Sequence, residues 1–541
     1  ELKKNARNGY FEKLIKEYLL DNNHKSIISL VPEYGLEKEK EQKEADKLAE
    51  YKSTLTNDEL EELVKKTKEL KEYQDTPSSQ EDLEKIPMLE LSDIKREPAK
   101  DYNDVKSVDG IKIVHHNIFT NKIAYINMSF DTKCVPDELI PYMGLLGSTL
   151  SLMDTKNYTY PELTNEININ CGGLATGTAL YSDKVDFSKN TIVYEVKSKA
   201  LYEKVPFVLG MMEEIMYNTR FDDYKRLKEI IARIKSRLEA SLMGQGHSIA
   251  MLECCAQFSE SAYYSDILRG YKYYEFIKKL DEEFEQNKTQ IVDKLNKLVG
   301  YIFNKDNVIV SLTADDEGYD CFVKALSAKS CNIKDEHYNT AVRSFIPVNV
   351  KTGYTSASQV QYVARCGNFV KDGYKYTGAL KVLKVIFSYD YLWINVRVKG
   401  GAYGCMSGSS RNGDFYMVSY RDPNLEKTND IYEGAADYIR NFNVSRRDMV
   451  KFIIGTIGEI DAPLTPSAIG SRSFTHYMCN CTEDMLRKDR EEVLDATVES
   501  IRELAPLIES AVGQNYLCVV GNQKQINEAA DLFDEIKPLI G

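Results

Sequence analysis

No window of the chain approaches the roughly eighteen consecutive apolar residues that mark a membrane-spanning helix, so none is expected. The N-terminus, ELKKNARNGYFEKLIKEYLL, has neither an initiator methionine nor the layout of a signal peptide. It opens inside an amphipathic helix with Phe11, Leu14, Ile15, Tyr18 and Leu19 on one face, as expected of a piece of something longer. Positive charge is in deficit: 70 Lys and Arg against 83 Asp and Glu give −13, which argues against a general nucleic-acid binder and permits attraction to basic ligands. The eleven cysteines are scattered, without a Cys-x-x-Cys pair or a dense secreted framework. They read as free thiols in a reducing compartment, the cytoplasm or, in a eukaryote, an organelle matrix.

Several chemistries lack their residues. Six histidines are present, but His115 and His116 are adjacent on a predicted strand and point to opposite faces. His476, Cys479 and Cys481 do not converge on a helix and have no evident fourth ligand. Glu336-His337 is the one Glu-His pair, and an inverted zinc-peptidase motif would need histidine where Ile333 stands. No metal site is therefore expected in this chain. Gly-x-Ser-x-Gly is absent, and neither Gly244-Gln245-Gly246 nor Gly400-Gly401-Ala402-Tyr403-Gly404 carries the Gly-Lys-Ser/Thr of a phosphate loop.

What is present is a long alternation of strands and helices. Residues 1–33 read as a helix and an apolar run, Ile27 to Val31, closed by Pro32. Residues 34–85 turn rich in Glu and Lys and predict two helices, 37–52 and 57–74, the second opened by a capping box of Thr56 and Glu59. Their apolar seam is thin (Leu60, Leu63, Val64, Leu70), so they predict a hairpin spacer rather than a core. Pro77 ends it, and Pro87 and Pro98 punctuate an extended connector. From about residue 100 strands are predicted at 110–116, 122–131, 172–182, 190–197 and 307–314, with helices between and after them. After a polar bridge at 330–350 the order returns, with a strand at 359–365, a helix marked by Leu380, Leu383, Ile386 and Phe387, a small-residue strand after Gly400-Gly401, strands at 415–420 and 516–520, and a closing helix at 523–534. Gly172-Gly173 answers Gly400-Gly401, and VIVSLTA at 308 answers YLCVVGN at 516. The reading is an α+β chain: two tandem homologous α/β sandwich domains, each a sheet with helices packed on one face, preceded by a helical-hairpin linker.

The stretch Leu392–Ser410, LWINVRVKGGAYGCMSGSS, holds the single tryptophan, Trp393, and sets Arg397 and Tyr403 on either side of the glycine pair. Glycines let a backbone turn sharply or approach a ligand closely. Arg offers a fixed fork of donors and Tyr a neutral hydroxyl. Aimed at a carbonyl oxygen, such donors stabilise the charge that develops in peptide hydrolysis. The structural alternative is that Arg397 pairs with a surface carboxylate while Tyr403 packs in a core.

RVKGGAYG at 397–404 resembles the C-terminal signature of the insulysin/pitrilysin clan of zinc peptidases, specifically its presequence-protease (falcilysin-like) subfamily. IIGTIGEIDAPLTPSAIG at 453–470 and the DLEKIPMLELSDI connector at 82–94 are similar to that subfamily too, and the resemblance covers essentially the whole chain. It implies four homologous α/β domains in two halves, joined by a helical hairpin and closing around a chamber. The N-terminal half of such proteins carries His-x-x-Glu-His and a further Glu that bind zinc and activate water. This chain would then hold the end of the second domain (1–33), the hairpin and connector (34–98), the third domain (99–335) and the fourth (336–541). The resemblance implies a zinc metalloendopeptidase acting on unstructured peptides, with the zinc bound by the absent half and this chain inactive alone. Tyr403 and Arg397 take the catalytic positions, and Arg397, Gly400, Gly401 and Tyr403 the substrate-binding ones. The implied partners are a peptide substrate and the N-terminal half of the same protein, with no nucleic acid and no membrane. Two other readings stay open: a non-catalytic peptide-binding scaffold with a decayed peptidase fold, and one subunit of a two-chain peptidase.

Overall fold

The computed structural model describes residues 2–31, 33, 35–76, 78–329 and 332–540. The chain divides after Pro87 into two compact units.

The first unit is helical. Leu36–Thr54 and Asn57–Asp75 are its two long helices, each reaching slightly beyond the expected bounds. The predicted capping box is present: the Glu59 amide donates to Thr56 Oγ1 at 3.3 Å, and the Thr56 amide to a Glu59 carboxylate oxygen at 2.8 Å. Two donors that a helix start leaves open are thereby satisfied. The seam residues Leu63, Val64 and Leu70 stay more than half exposed, so this pair buries little apolar area. The N-terminal amphipathic run is helical over Leu2–Ala6 and Tyr10–Leu14 and π-helical over Ile15–Leu20. The run from Ile27 to Val31 has no regular structure, and its aliphatic side chains are exposed. Pro32 and Pro77, expected to close that run and the hairpin, lie outside the described residues, as do Ser330 and Cys331 in the polar bridge.

The second unit holds two six-stranded sheets. The first contains β1 (Asp104–Val108), β2 (Ile111–Asn117), β3 (Ile123–Asp131), β4 (Leu174–Ser182), β5 (Asn190–Leu201) and β6 (Val308–Ala314), in the order β1-β2-β6-β3-β5-β4. The second contains β7 (Thr352–Ser356), β8 (Tyr362–Asn368), β9 (Gly404–Ser409), β10 (Asp414–Tyr420), β11 (Tyr516–Asn522) and β12 (Glu535–Pro538), in the order β12-β7-β11-β8-β10-β9. The two orders superpose. β6 and β11, the VIVSLTA and YLCVVGN segments, lie parallel to β2 and β7 and antiparallel to β3 and β8. The duplication legible in the sequence is therefore a duplication of sheet topology. The copies differ at one edge: β1 precedes its sheet and runs antiparallel, whereas β12 follows its sheet and runs parallel. The closing helix is correspondingly shorter than expected, Gln523–Glu528, because the chain turns back to form β12.

Alternation along the strands divides the faces. β3 sends Ala124, Ile126, Met128 and Phe130 into a core shared with helices Ile140–Thr149, Val205–Tyr217 and Phe284–Ile302. In the second sheet Val363, Met417, Leu517 and Val519 pack on helices Ala379–Ile386, Arg446–Ile460 and Ala505–Gly513. Each sheet's other face takes a helix from the opposite half. Gly246–Cys255 lays Ile249, Ala250 and Cys254 on Ala364, Cys366, Val418 and Cys518 of the second sheet. Pro466–Met478 lays Phe474 against Val114, Tyr181 and Val193 of the first. A fully buried side chain of this size is worth about 1.5–3 kcal/mol. This exchange therefore ties the two halves into one body, and it sets helix 466–478 beside the first sheet.

Candidate functional site

The helix entering the glycine turn starts as an α-helix, Ala379–Ile386, with Leu380, Val382, Leu383, Val385 and Ile386 buried. It continues as two π-helical segments, Phe387–Tyr391 and Trp393–Val398. A π turn takes in an extra residue, and such turns occur frequently at functional sites. Trp393 and Arg397 lie four apart, and the Arg397 guanidinium carbon sits 3.9 Å from the centre of the Trp393 ring. That stacking holds one face of the guanidinium and leaves its N–H edge to other partners. Among the described residues, the guanidinium makes no ion pair or hydrogen bond.

The turn is held by backbone and by one strut. The Lys399 amide donates to the Ile394 carbonyl at 2.9 Å, the Gly401 amide to the Arg397 carbonyl at 2.8 Å, and the Ala402 amide to the Val396 carbonyl at 3.1 Å. Gly401 has φ of +83°, the left-handed region that side chains resist. A Cβ on Gly400 would collide with the Val396 carbonyl oxygen. Asn424 Nδ2 donates to the Gly400 carbonyl at 2.6 Å. Asn424 is itself placed by Asp422, whose carboxylate accepts from the Asn424 amide at 2.9 Å and from Thr428 Oγ1 at 2.7 Å. Asp422 is fully buried, and burial raises its pKa above the usual carboxylate range against the opposing pull of these donors.

Tyr403 follows, with its amide donating to the Arg421 carbonyl at 3.2 Å and its ring edge-on to Tyr420 at 5.8 Å. Tyr420 in turn rests against His247 at 4.8 Å, and burial pushes the His247 imidazole pKa down. The Tyr403 side chain projects outward, with 67% of the residue exposed. Its hydroxyl has no hydrogen-bond partner among the described residues. The Arg397 guanidinium carbon lies 5.8 Å from the centre of the Tyr403 ring. Among the described residues both parts of the structural alternative fail: the arginine pairs with no carboxylate, and the tyrosine is exposed. Beside them, burial pushes the Cys405 thiol up to about 11 while Arg397 pulls the other way, which keeps that thiol protonated near neutrality.

The four residues singled out from sequence, Arg397, Gly400, Gly401 and Tyr403, thus share one turn at the head of β9, the end strand of the second sheet. A glycine pair also precedes β4 in the first sheet, where Gly173 has φ of +105°; β4 begins directly after it at Leu174, whereas β9 begins at Gly404. Counted along the sequence from each glycine pair, Ile169 and Ala175 take the positions of Arg397 and Tyr403, so the Arg and Tyr occur in one copy alone. Sequence reading missed the Trp393 platform, although its i, i+4 spacing from Arg397 was a legible signal. It also missed the Asn424–Asp422 strut and the Tyr420 backing, which nothing local to the turn announces.

The described residues do not fit a peptidase zinc. Among them, one group can offer three ligand atoms together, Asp306, Asp335 and His337, and all three residues are exposed. His115 Nε2 meets the Ala314 carbonyl at 2.9 Å, and His116 Nε2 meets Ser311 Oγ at 2.9 Å. His476 Nδ1 pairs with Asp101 at 2.6 Å rather than with Cys479 and Cys481.

Two family profiles match the chain. One is the associated region of subfamily C of peptidase family M16, over residues 30–280, and the other is "PreP C-terminal domain", over residues 353–522. Protein HypA of Clostridium perfringens is 39% identical over 100% of this chain and 55% of its own length. Presequence protease 1, chloroplastic/mitochondrial, of Arabidopsis thaliana is 30% identical over 98% of this chain and 49% of its own. The chain spans about half the length of these curated relatives. A crystal structure of a peptidase M16 inactive domain from Pseudomonas fluorescens shares the fold, with a TM-score of 0.53 and 15% identity over 81% of this chain and 98% of that one. The chain belongs to the M16 peptidase family, as the C-terminal half of a presequence-protease-like member.

Proposed function

We propose that this chain is the non-zinc-binding half of a zinc metalloendopeptidase that degrades unstructured peptides in a closed chamber, and that Arg397 and Tyr403 are its contribution to the chemistry. The observation that carries this reading is the pair itself: an arginine fork with no carboxylate among the described residues, beside an exposed tyrosine, on a turn braced from behind. Tyr403 donates to the oxyanion that forms at the scissile carbonyl, and Arg397 holds the substrate backbone or shares that charge. Gly400 and Gly401 let the peptide backbone come close. Zinc and its ligands are assigned to the N-terminal half. The partners are a peptide substrate and the N-terminal half of the same protein. The net charge of −13 suits basic peptides and disfavours nucleic acid, and the unpaired thiols of all ten described cysteines suit a reducing compartment. The test mixes this chain with the N-terminal half and measures peptide cleavage with and without a chelator. Cleavage that needs both halves and stops with the chelator supports the reading. Cleavage by the N-terminal half alone, at the full rate, overturns it.

The second reading is a non-catalytic peptide-binding protein, and what favours it is the inactive M16 domain from Pseudomonas fluorescens with the same fold. Peptide binding by the mixed halves without turnover selects that reading.

A further inference from the structure

Two stretches singled out in the sequence have no part in the Arg397–Tyr403 site: the glycine pair Gly172-Gly173 and the end of the 453–470 segment. The fold brings them to one place. Helix Pro466–Met478 lies directly on the first sheet, so close that a Cβ on Gly470 would collide with Thr313 Oγ1. Between that helix and the head of β4 an open-mouthed cavity of about 410 Å³ remains.

Its lining mixes apolar side chains, among them Ile126, Leu174 and Phe474, with polar ones, and two lysines, Lys197 and Lys199, stand in it. Hydroxyl groups come from Ser311 and Thr313 on the sheet and from Ser467 and Ser471 on the helix. Glu195, under the cavity wall, is fully engaged: it accepts from Asn127 Nδ2 at 2.8 Å and from the Tyr181 hydroxyl at 3.1 Å, and pairs with Lys197 at 2.5 Å. Lys199 has no such carboxylate among the described residues. Its stem is laid across Gly172, where a Cβ would come within 2.7 Å of Lys199 Cγ and Cε. Gly172 is thus small for a stated reason, to seat the lysine stem. Opposite in character is Asn127 Oδ1, a buried acceptor without a hydrogen-bond partner. A buried acceptor left unmet costs free energy that a ligand N–H recovers.

A cavity whose wall offers an ammonium, hydroxyls and an open acceptor suits a ligand that joins an anion to an N–H donor. A peptide carboxylate beside its own backbone amide has both. We propose that this cavity binds a carboxylate of a bound peptide, with Lys199 taking the charge and Asn127 Oδ1 the adjacent N–H. The proposal rests on the peptide-binding reading above. The carboxylate is either the peptide's C-terminus or an acidic side chain, which present the same chemistry.

The test uses the full-length polypeptide that carries this chain, with a chelator present so that no cleavage intervenes. Three end-labelled, Gly/Ser-rich peptides are compared by fluorescence anisotropy: one ending in a free carboxylate, one ending in an amide, and the amide with a single internal Asp. The free acid, the Asp peptide or both are expected to bind about five- to tenfold more tightly than the plain amide, and which of them does so identifies the source. Lys199→Met is expected to abolish that preference and leave affinity for the plain amide unchanged, while Lys199→Arg keeps it. Acylation mapped by mass spectrometry is expected to show Lys199 protected by the preferred peptide and not by the plain amide. Equal affinities for all three peptides, or a preference that survives Lys199→Met, overturns the cavity assignment and leaves peptide binding standing. If none of the peptides binds at all, the peptide-binding reading falls as well.

Discussion

The guanidinium carbon of Arg397 lies 5.8 Å from the centre of the exposed Tyr403 ring, so one glycine turn carries a delocalised cation and a hydroxyl side by side. The two donors are not interchangeable. The Arg397 fork is planar and stacked on Trp393, which fixes its plane. Lysine carries the charge but neither the plane nor the fork. Arg397→Lys and Arg397→Met are therefore both expected to lower kcat/KM of the complete enzyme by about 10- to 100-fold, the range for losing a charge-assisted hydrogen bond. The urea midpoint should move little, because an exposed cation–π contact is worth about 0.5–1 kcal/mol. Steady-state kinetics checks this, and a lysine variant with wild-type kcat/KM would count against a fork.

The turn that carries the pair depends on its glycines. Gly400→Ala drives a Cβ into the Val396 carbonyl, and Gly401→Ala asks alanine for φ of +83°. Each is expected to cost about 1–3 kcal/mol in urea unfolding. Gly401→Asn is expected to cost less than Gly401→Ala, since asparagine enters the left-handed region more readily. Equal costs for the two Gly401 variants would argue against backbone conformation as the reason for glycine there.

Stability below neutral pH should depend on His116. Burial lowers its pKa to about 4, against a smaller raising effect from the Tyr102 carbonyl it meets. His115 and Asp101 are the titratable neighbours that act on it. Between about pH 6.5 and 4 the unfolded chain takes up a proton that the folded chain refuses, so stability is full above pH 6.5 and falls as pH drops towards 4. The shift corresponds to about 3 kcal/mol. Urea unfolding followed across that range is expected to show a shallower pH slope in His116→Asn than in the wild type; parallel slopes would contradict it.

Much of this was legible in the sequence, and the omissions have physical causes. The strong strands were readable because alternation is a local property, as in β3, and so was the Thr56–Glu59 cap. The repeat of VIVSLTA in YLCVVGN became the shared position of β6 and β11. β1, β7 and β12 were missed because they are short edge or near-edge strands of mixed polarity, such as DVKSV and TGYTS, defined by their partners rather than by their own pattern. The exchange of helices 246–255 and 466–478 between the halves was invisible for the same reason: each face reads as amphipathic whichever sheet covers it. At the site, Arg397, Gly400, Gly401 and Tyr403 were read from one short stretch. The Asn424 strut comes from beyond β10, where spacing gives no hint of it.

The central claim, that Tyr403 donates to a developing oxyanion, is tested most directly by turnover of Tyr403→Phe in the complete enzyme with zinc content measured on the same sample. The substitution removes one oxygen from an exposed ring that has no hydrogen-bond partner among the described residues, so folding should be unchanged. A kcat lower by about 100- to 1,000-fold at full zinc occupancy is the predicted result. Wild-type kcat at the same zinc occupancy would contradict the account.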